Sequence, residues 1–102
     1  MAVRKLNVFP ERNDFIVETP WAGEVRRFRL LWRAGTKKWY LSISELDGTP
    51  LLSGHAVVAG GQPLFCRGLD EFVDAFITFV GEDYDVPEAL GETIDVWIFD
   101  ES

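Results

Sequence analysis

The stretch Val25-Arg26-Arg27-Phe28-Arg29-Leu30-Leu31-Trp32, then Arg33-Ala34-Gly35-Thr36-Lys37-Lys38, then Trp39-Tyr40-Leu41-Ser42-Ile43-Ser44-Glu45-Leu46 decides the fold. Phe28, Leu30 and Trp32 alternate along the first segment, and Trp39, Leu41 and Ile43 along the second. Residues two apart share one face of a β-strand, so these six side chains line one face of a hairpin. The short turn between them carries three basic residues, Arg33, Lys37 and Lys38, and Gly35 is the residue expected to take the positive φ of the turn. Trp32 and Trp39 belong beside the turn, across from each other, where aromatic cross-strand pairs stabilise most. Arg27, Arg29, Tyr40, Ser42 and Ser44 fall on the opposite, polar face. The hairpin carries no obvious chemistry.

Working outward, 102 residues make one domain. At 47% hydrophobic, the chain can bury roughly 65% of its unfolded surface. Fourteen per cent aromatics, nine Gly and five Pro favour short strands and turns over helices. The expected fold class is all-β: a small antiparallel β-sandwich or barrel of about six or seven strands. No apolar run reaches the roughly 18 residues of a membrane span. The start of the chain has no apolar signal-peptide core, so it reads as made in a cytoplasm. No repeat or low-complexity linker interrupts it.

Met1 to Asn13 reads as an N-terminal arm or edge strand, with residues 14–102 as a single β domain. Phe15 to Glu18 is a short strand ended by Thr19-Pro20, and Trp21 to Glu24 is the turn into the hairpin. Trp21 is either exposed in that turn or packed back on the core. Asp47-Gly48 is a strong turn signal between strands. Leu51 to Ala59 follows, with Leu52, Gly54, Ala56 and Val58 on one face; the small Gly54 and Ala56 suit a bulge or a close backbone approach. Gly60 to Pro63 closes that strand. A loop or helical turn is expected near 68–74, a strand at 75–80, and an acidic loop from Gly81 to Gly91. The last strand runs from Glu92 to Phe99. Its residues Ile94, Val96 and Ile98 face one way, and Thr93, Asp95, Trp97 and Phe99 the other. With apolar residues on both faces, its end is covered either within the domain or by another subunit.

Net charge is −7, which argues against a nucleic-acid partner. Residues 1–38 carry +5 and residues 39–102 carry −12. The halves either interleave and partly cancel, or form faces of opposite sign on which copies stack or ring.

Little in the chain resembles an active site. His55, the only histidine, counts as opposite to Leu52 and Gly54 and on the same face as Ser53, with no third partner for a triad. Glu82, Asp83, Asp85 and Glu88 do not match the EF-hand spacing and read as a solvated acidic loop. Gly60-Gly61 lacks the helix and lysine of a phosphate loop. Cys66 is alone, so no internal disulfide forms, and it reads as a small buried hydrophobe. The basic-aromatic run Arg26 to Arg33 has the composition of a single-strand binder, but the overall charge opposes that. No catalytic, metal or cofactor residue is assigned, and the protein is not expected to be an enzyme.

The ordered motifs do resemble a known family. Val25 to Trp32, Lys38-Trp39-Tyr40-Leu41-Ser42-Ile43 and Asp47-Gly48-Thr49-Pro50-Leu51-Leu52-Ser53-Gly54 are similar to the baseplate plug family of contractile phage tails, of the cyanophage plug type. Asp85-Val86-Pro87-Glu88-Ala89-Leu90-Gly91 and Val96-Trp97-Ile98-Phe99 fill the family's closing positions. The resemblance covers about residues 14 to 100. Glu45 stands where the pattern has Asp, and residues 69–74 are more acidic and aromatic than the pattern.

The resemblance implies a structural protein of the virion, at the centre of the tail baseplate, without a cofactor. Its implied partners are copies of itself in a ring, the tail tube and the baseplate hub, with no specific nucleic acid and no membrane. A negative lumen would not hold passing DNA. The candidate interface residues are Trp21, Arg27, Arg29, Tyr40, Trp97 and Phe99. The competing reading is a monomeric β-sandwich module that stacks Trp21 and Tyr40 on a sugar or peptide.

Overall fold

In the computed structural model, residues 2–21, 24–59 and 75–100 are described. The expected features at Ala22-Gly23, Gly60 to Pro63, Cys66, 68–74 and Phe72 therefore lie outside the described residues.

Among the described residues, seven strands form two antiparallel sheets. Strands β2 (Asp14–Trp21), β3 (Glu24–Arg33), β4 (Lys38–Glu45) and β5 (Pro50–Ala56) make a four-stranded meander in chain order. Strands β1 (Ala2–Lys5), β7 (Ile94–Asp100) and β6 (Phe76–Gly81) make the other sheet, with β7 in the centre. The two chain ends thus pair with each other, and a bond from the Leu6 N–H to the Val96 carbonyl at 2.8 Å extends that ladder. The sheets pack face to face as an open sandwich, not a closed barrel.

The core is what the alternation dictates. Phe28, Leu30, Trp39, Leu41 and Ile43 are buried, and Ile77, Phe79, Ile94, Val96 and Ile98 meet them from the other sheet. Trp32 is half-buried, directly paired with Trp39, with ring centroids 5.8 Å apart. Phe15 packs edge-on against Trp39 at 5.6 Å. Full burial of each large side chain contributes about 1.5–3 kcal/mol. A domain's whole stability is about 5–15 kcal/mol, so a few of these residues decide whether it folds.

Four local expectations change. The hairpin turn takes its positive φ at Lys37 (φ 55°), not at Gly35. The N–H groups of Thr36 and Lys37 both reach the Arg33 carbonyl, so the loop closes as a short helical turn that ends in a left-handed residue. Strand β2 does not stop at Thr19-Pro20 but runs to Trp21. It is an edge strand, where a proline without an N–H is tolerated.

The third and fourth changes lie in β5. Its register against β4 shifts, with Ile43 opposite Leu52 but Leu41 opposite His55. One residue of β4, Ser42, therefore faces two of β5, Ser53 and Gly54, a β-bulge in which Gly54 stands at φ +58°. Gly54 donates its N–H to the Ser42 hydroxyl at 2.9 Å. The bulge reverses the faces beyond it. His55 lies on the same side as Leu52 and stacks on Phe79 across the sandwich, with centroids 6.3 Å apart. Ser53 is on the outside, Val57 is buried, and Val58 is exposed.

The Asp47-Gly48 turn forms as expected. The Gly48 N–H bonds the Glu45 carbonyl, and the Asp47 carboxylate accepts the Thr49 N–H at 2.9 Å.

Candidate functional site

The outer face of the four-stranded sheet follows from the residues that alternate with its core. Arg29 lies opposite Ser42, Arg27 opposite Ser44, and Leu31 opposite Tyr40. Edge strand β2 supplies the acids. Asp14 takes a two-pronged bond from Arg29 at 2.8 and 2.6 Å, and Glu18 lies 3.7 Å from Arg27. The Arg29 hydrogen bonds hold the Asp14 carboxyl below its ordinary value, and Asp14 raises the Arg29 guanidinium in return. Arg33 is held differently: its guanidinium lies 5.3 Å over the Tyr40 ring. The Tyr40 hydroxyl donates to Thr36 Oγ1 at 3.0 Å. Arg29, Arg33, Tyr40, Ser42, Ser53 and Gly54 border a groove of about 300 Å³ on this face.

The outer face of the three-stranded sheet carries an apolar patch, bordered by Lys5, Thr78 and Asp95. Phe76 lies flat on Phe99, with centroids 4.5 Å apart and planes within 10°. Trp97 is half-buried beside them, and Val3 and Val80 are 49% and 53% exposed at either side. This is the doubly apolar strand end noted in the sequence: Ile94, Val96 and Ile98 go to the core, while Trp97 and Phe99 stay at the surface.

Trp21 is at neither surface. It is 0% exposed, donates its indole N–H to the Phe99 carbonyl at 2.9 Å and packs edge-on against Phe28. It pins β2 to β7 across the sandwich. The sugar-stacking alternative required it in the open, so this placement counts against that reading.

Two residues matter more than the sequence pattern indicated. Arg26, only 3% exposed, is directed inward with Phe28 and Leu30. It bonds Glu45 at 2.8 Å, lies 3.1 Å from Glu24 and reaches the Trp21 carbonyl. The period-2 count from Phe28 already put Arg26 on the inner face. Tyr84, within the acidic loop, is also buried. A lone aromatic in an acidic run was the available signal. With Lys38, which donates to the Tyr84 carbonyl and sits over its ring at 4.7 Å, it fixes the loop to the sandwich end. Trp39 adds an indole bond to the Pro87 carbonyl at the 3-10 turn Pro87–Ala89.

Among the described residues, no three His, Cys, Asp or Glu side chains come together as a metal site. Also among them, no helix is long and apolar enough to cross a membrane. The surfaces suit protein contacts: a basic groove, an apolar sheet face and an acidic loop.

Comparison with protein families decides the matter. The family model described as cyanophage baseplate Pam3 plug gp18 matches residues 3–101. The chain belongs to this family. It is a structural component of the phage tail baseplate and not an enzyme. No curated protein matches the chain.

The motifs that carried the resemblance have structural work in the plug. Trp39, Leu41 and Ile43 form the centre of the core, Asp47-Gly48 makes the β4–β5 turn, and Gly54 carries the bulge. Glu45, in place of the Asp of the pattern, sits opposite Arg26 in the ladder and receives its guanidinium.

Proposed function

We propose that this baseplate plug acts by assembly, with several copies forming a ring that joins the end of the tail tube to the central hub. The observation that carries this reading is the apolar patch of Phe76, Trp97 and Phe99 on the outer face of the three-stranded sheet. Surfaces of this kind mark protein contacts in a chain with no chemistry of its own. Trp97 and Phe99 at its centre are aromatic anchors of the sort that dominate interface energies. Arg27, Arg29 and Tyr40 supply a second, polar contact surface on the opposite side of the sandwich. Trp21 enters the interface only indirectly, by holding the backbone of Phe99 in place.

Light scattering at low and high salt tests this, first on the protein alone and then with tail-tube and hub proteins added. A ring-sized oligomer, or assembly when those proteins are added, supports the reading. Salt resistance would locate the contact at the apolar face, and salt sensitivity at the charged surfaces. An 11.6 kDa monomer in every condition, with tube and hub joining without it, overturns the reading.

A further inference from the structure

Arg33 differs from its neighbours in facing no acid among the described residues. Arg26, Arg27 and Arg29 each face a carboxylate within the chain. Among the described residues, Arg33 has an aromatic ring instead, that of Tyr40, and its N–H donors face no carboxylate. A guanidinium over an aromatic ring keeps its N–H donors available for a carboxylate, because the ring contact does not use them. Ser42 and Ser53 border the same groove, and Lys37 is exposed on the adjoining turn.

The same chain also presents uncommitted acids. Glu82, Asp83, Asp85, Glu88 and Glu92 are all exposed, and among the described residues none of them pairs with a cation. They project from a loop already ordered by Tyr84 and by the Trp39–Pro87 bond, so little further entropy is lost when the loop docks. The loop caps one end of the sandwich, whereas the groove lies on a sheet face, and no ion pair joins the two within one chain.

We propose that the groove at Arg33 and Tyr40 is the socket for the acidic loop of a second copy, so that plug subunits join face to end. This deepens the ring reading and rests on it. The contact uses two different patches, so it is heterologous, which is the type that closes into rings. The net charge of −7 disfavours a nucleic acid in the groove and leaves an acidic protein loop as its occupant.

The test uses the full chain under conditions where the wild type assembles, alone or with tube and hub proteins. Arg33→Glu and the pair Asp85→Lys with Glu88→Lys are each expected to weaken assembly by roughly tenfold or more. All three positions are exposed, and circular dichroism checks that each variant folds. The chain that combines all three changes restores opposite charges between position 33 and positions 85 and 88 and regains assembly. Assembly unchanged by the single reversals, or a combined variant weaker than either parent, overturns the socket while leaving the ring reading standing. A wild type that never assembles, even with tube and hub, overturns both.

Discussion

The hydroxyl of Tyr84 accepts the backbone N–H of Trp39 at 3.0 Å and donates to the carbonyl of Val57 at 2.7 Å. Trp39 and Val57 are themselves bonded through the Val57 N–H and the Trp39 carbonyl at 2.9 Å. One phenol from the β6–β7 loop therefore closes a ring of hydrogen bonds on the far sheet, and the acidic loop inherits its position from it. Tyr84→Phe leaves two buried backbone groups without this partner. The expected loss is about 2–3 kcal/mol in urea unfolding. A loss below about 0.5 kcal/mol would mean that the loop is held by Pro87 and Lys38 alone.

The same residue gives the plug an alkaline limit. Burial pushes the Tyr84 hydroxyl above its ordinary value of about 10, against the opposing effect of the Trp39 bond. The folded state then holds this proton more tightly than the unfolded chain. Its contribution is complete below about pH 10 and is lost as pH rises through the folded value. The wild type should lose stability above that pH more steeply than Tyr84→Phe. Parallel curves would show that the hydroxyl does not titrate with unfolding.

The hairpin turn offers an opposite pair of substitutions. Lys37 stands at φ 55°, where a side chain costs about 1 kcal/mol, so Lys37→Gly should raise stability by roughly that amount. Gly35 has neither a positive φ nor a neighbour within 4 Å of an added Cβ. Gly35→Ala should be neutral or slightly stabilising. Thermal melts of both variants decide which residue governs the turn.

At Gly81 the outcome is one-sided. A Cβ there would come 2.0 Å from the Thr93 carbonyl oxygen, which is backbone and cannot step aside cheaply. Gly81→Ala is expected to cost about 3 kcal/mol or more, read as a lowered denaturant midpoint. A loss below about 1 kcal/mol would show that β6 and β7 can separate at this point.

Arg26 and Glu45 form a pair whose partners differ in exposure. Arg26→Ala leaves Glu45 to solvent and opens a buried space, so its cost is mainly lost packing, about 2–5 kcal/mol. Glu45→Ala should cost less, about 1–3 kcal/mol, because Glu45 is partly exposed and Glu24 still faces the guanidinium. A double-mutant cycle measures the coupling. Additive losses would show that Glu45 does little to hold Arg26.

Much of this molecule is local and was legible in the chain. The alternations Phe28-Leu30-Trp32, Trp39-Leu41-Ile43 and Ile94-Val96-Ile98 each named their buried face, because a strand's period of two needs no distant information. Asp47-Gly48 named its turn for the same reason. The pairing of Trp32 with Trp39 followed once the turn between them was short. The ordered set of motifs pointed to the baseplate plug family over nearly the whole chain.

Other features depended on residues far apart in the sequence. The side taken by His55 and Val57 depends on a bulge against β4, and a single inserted residue reverses every side chain beyond it. The burial of Trp21 required Phe99, 78 positions away, to present a carbonyl to its indole. Tyr84 reads as part of a solvated acidic loop until Trp39 and Val57 are brought to its hydroxyl. The sequence by itself determined most of the strands, the inner faces of β3, β4 and β7, and the family resemblance, because these rest on short-range periodicity and turn chemistry. Only the tertiary structure decided the bulge, the buried Trp21, Arg26 and Tyr84, and which cations remain for a partner. Each of those depends on a hydrogen-bond or charge partner supplied by another strand or loop.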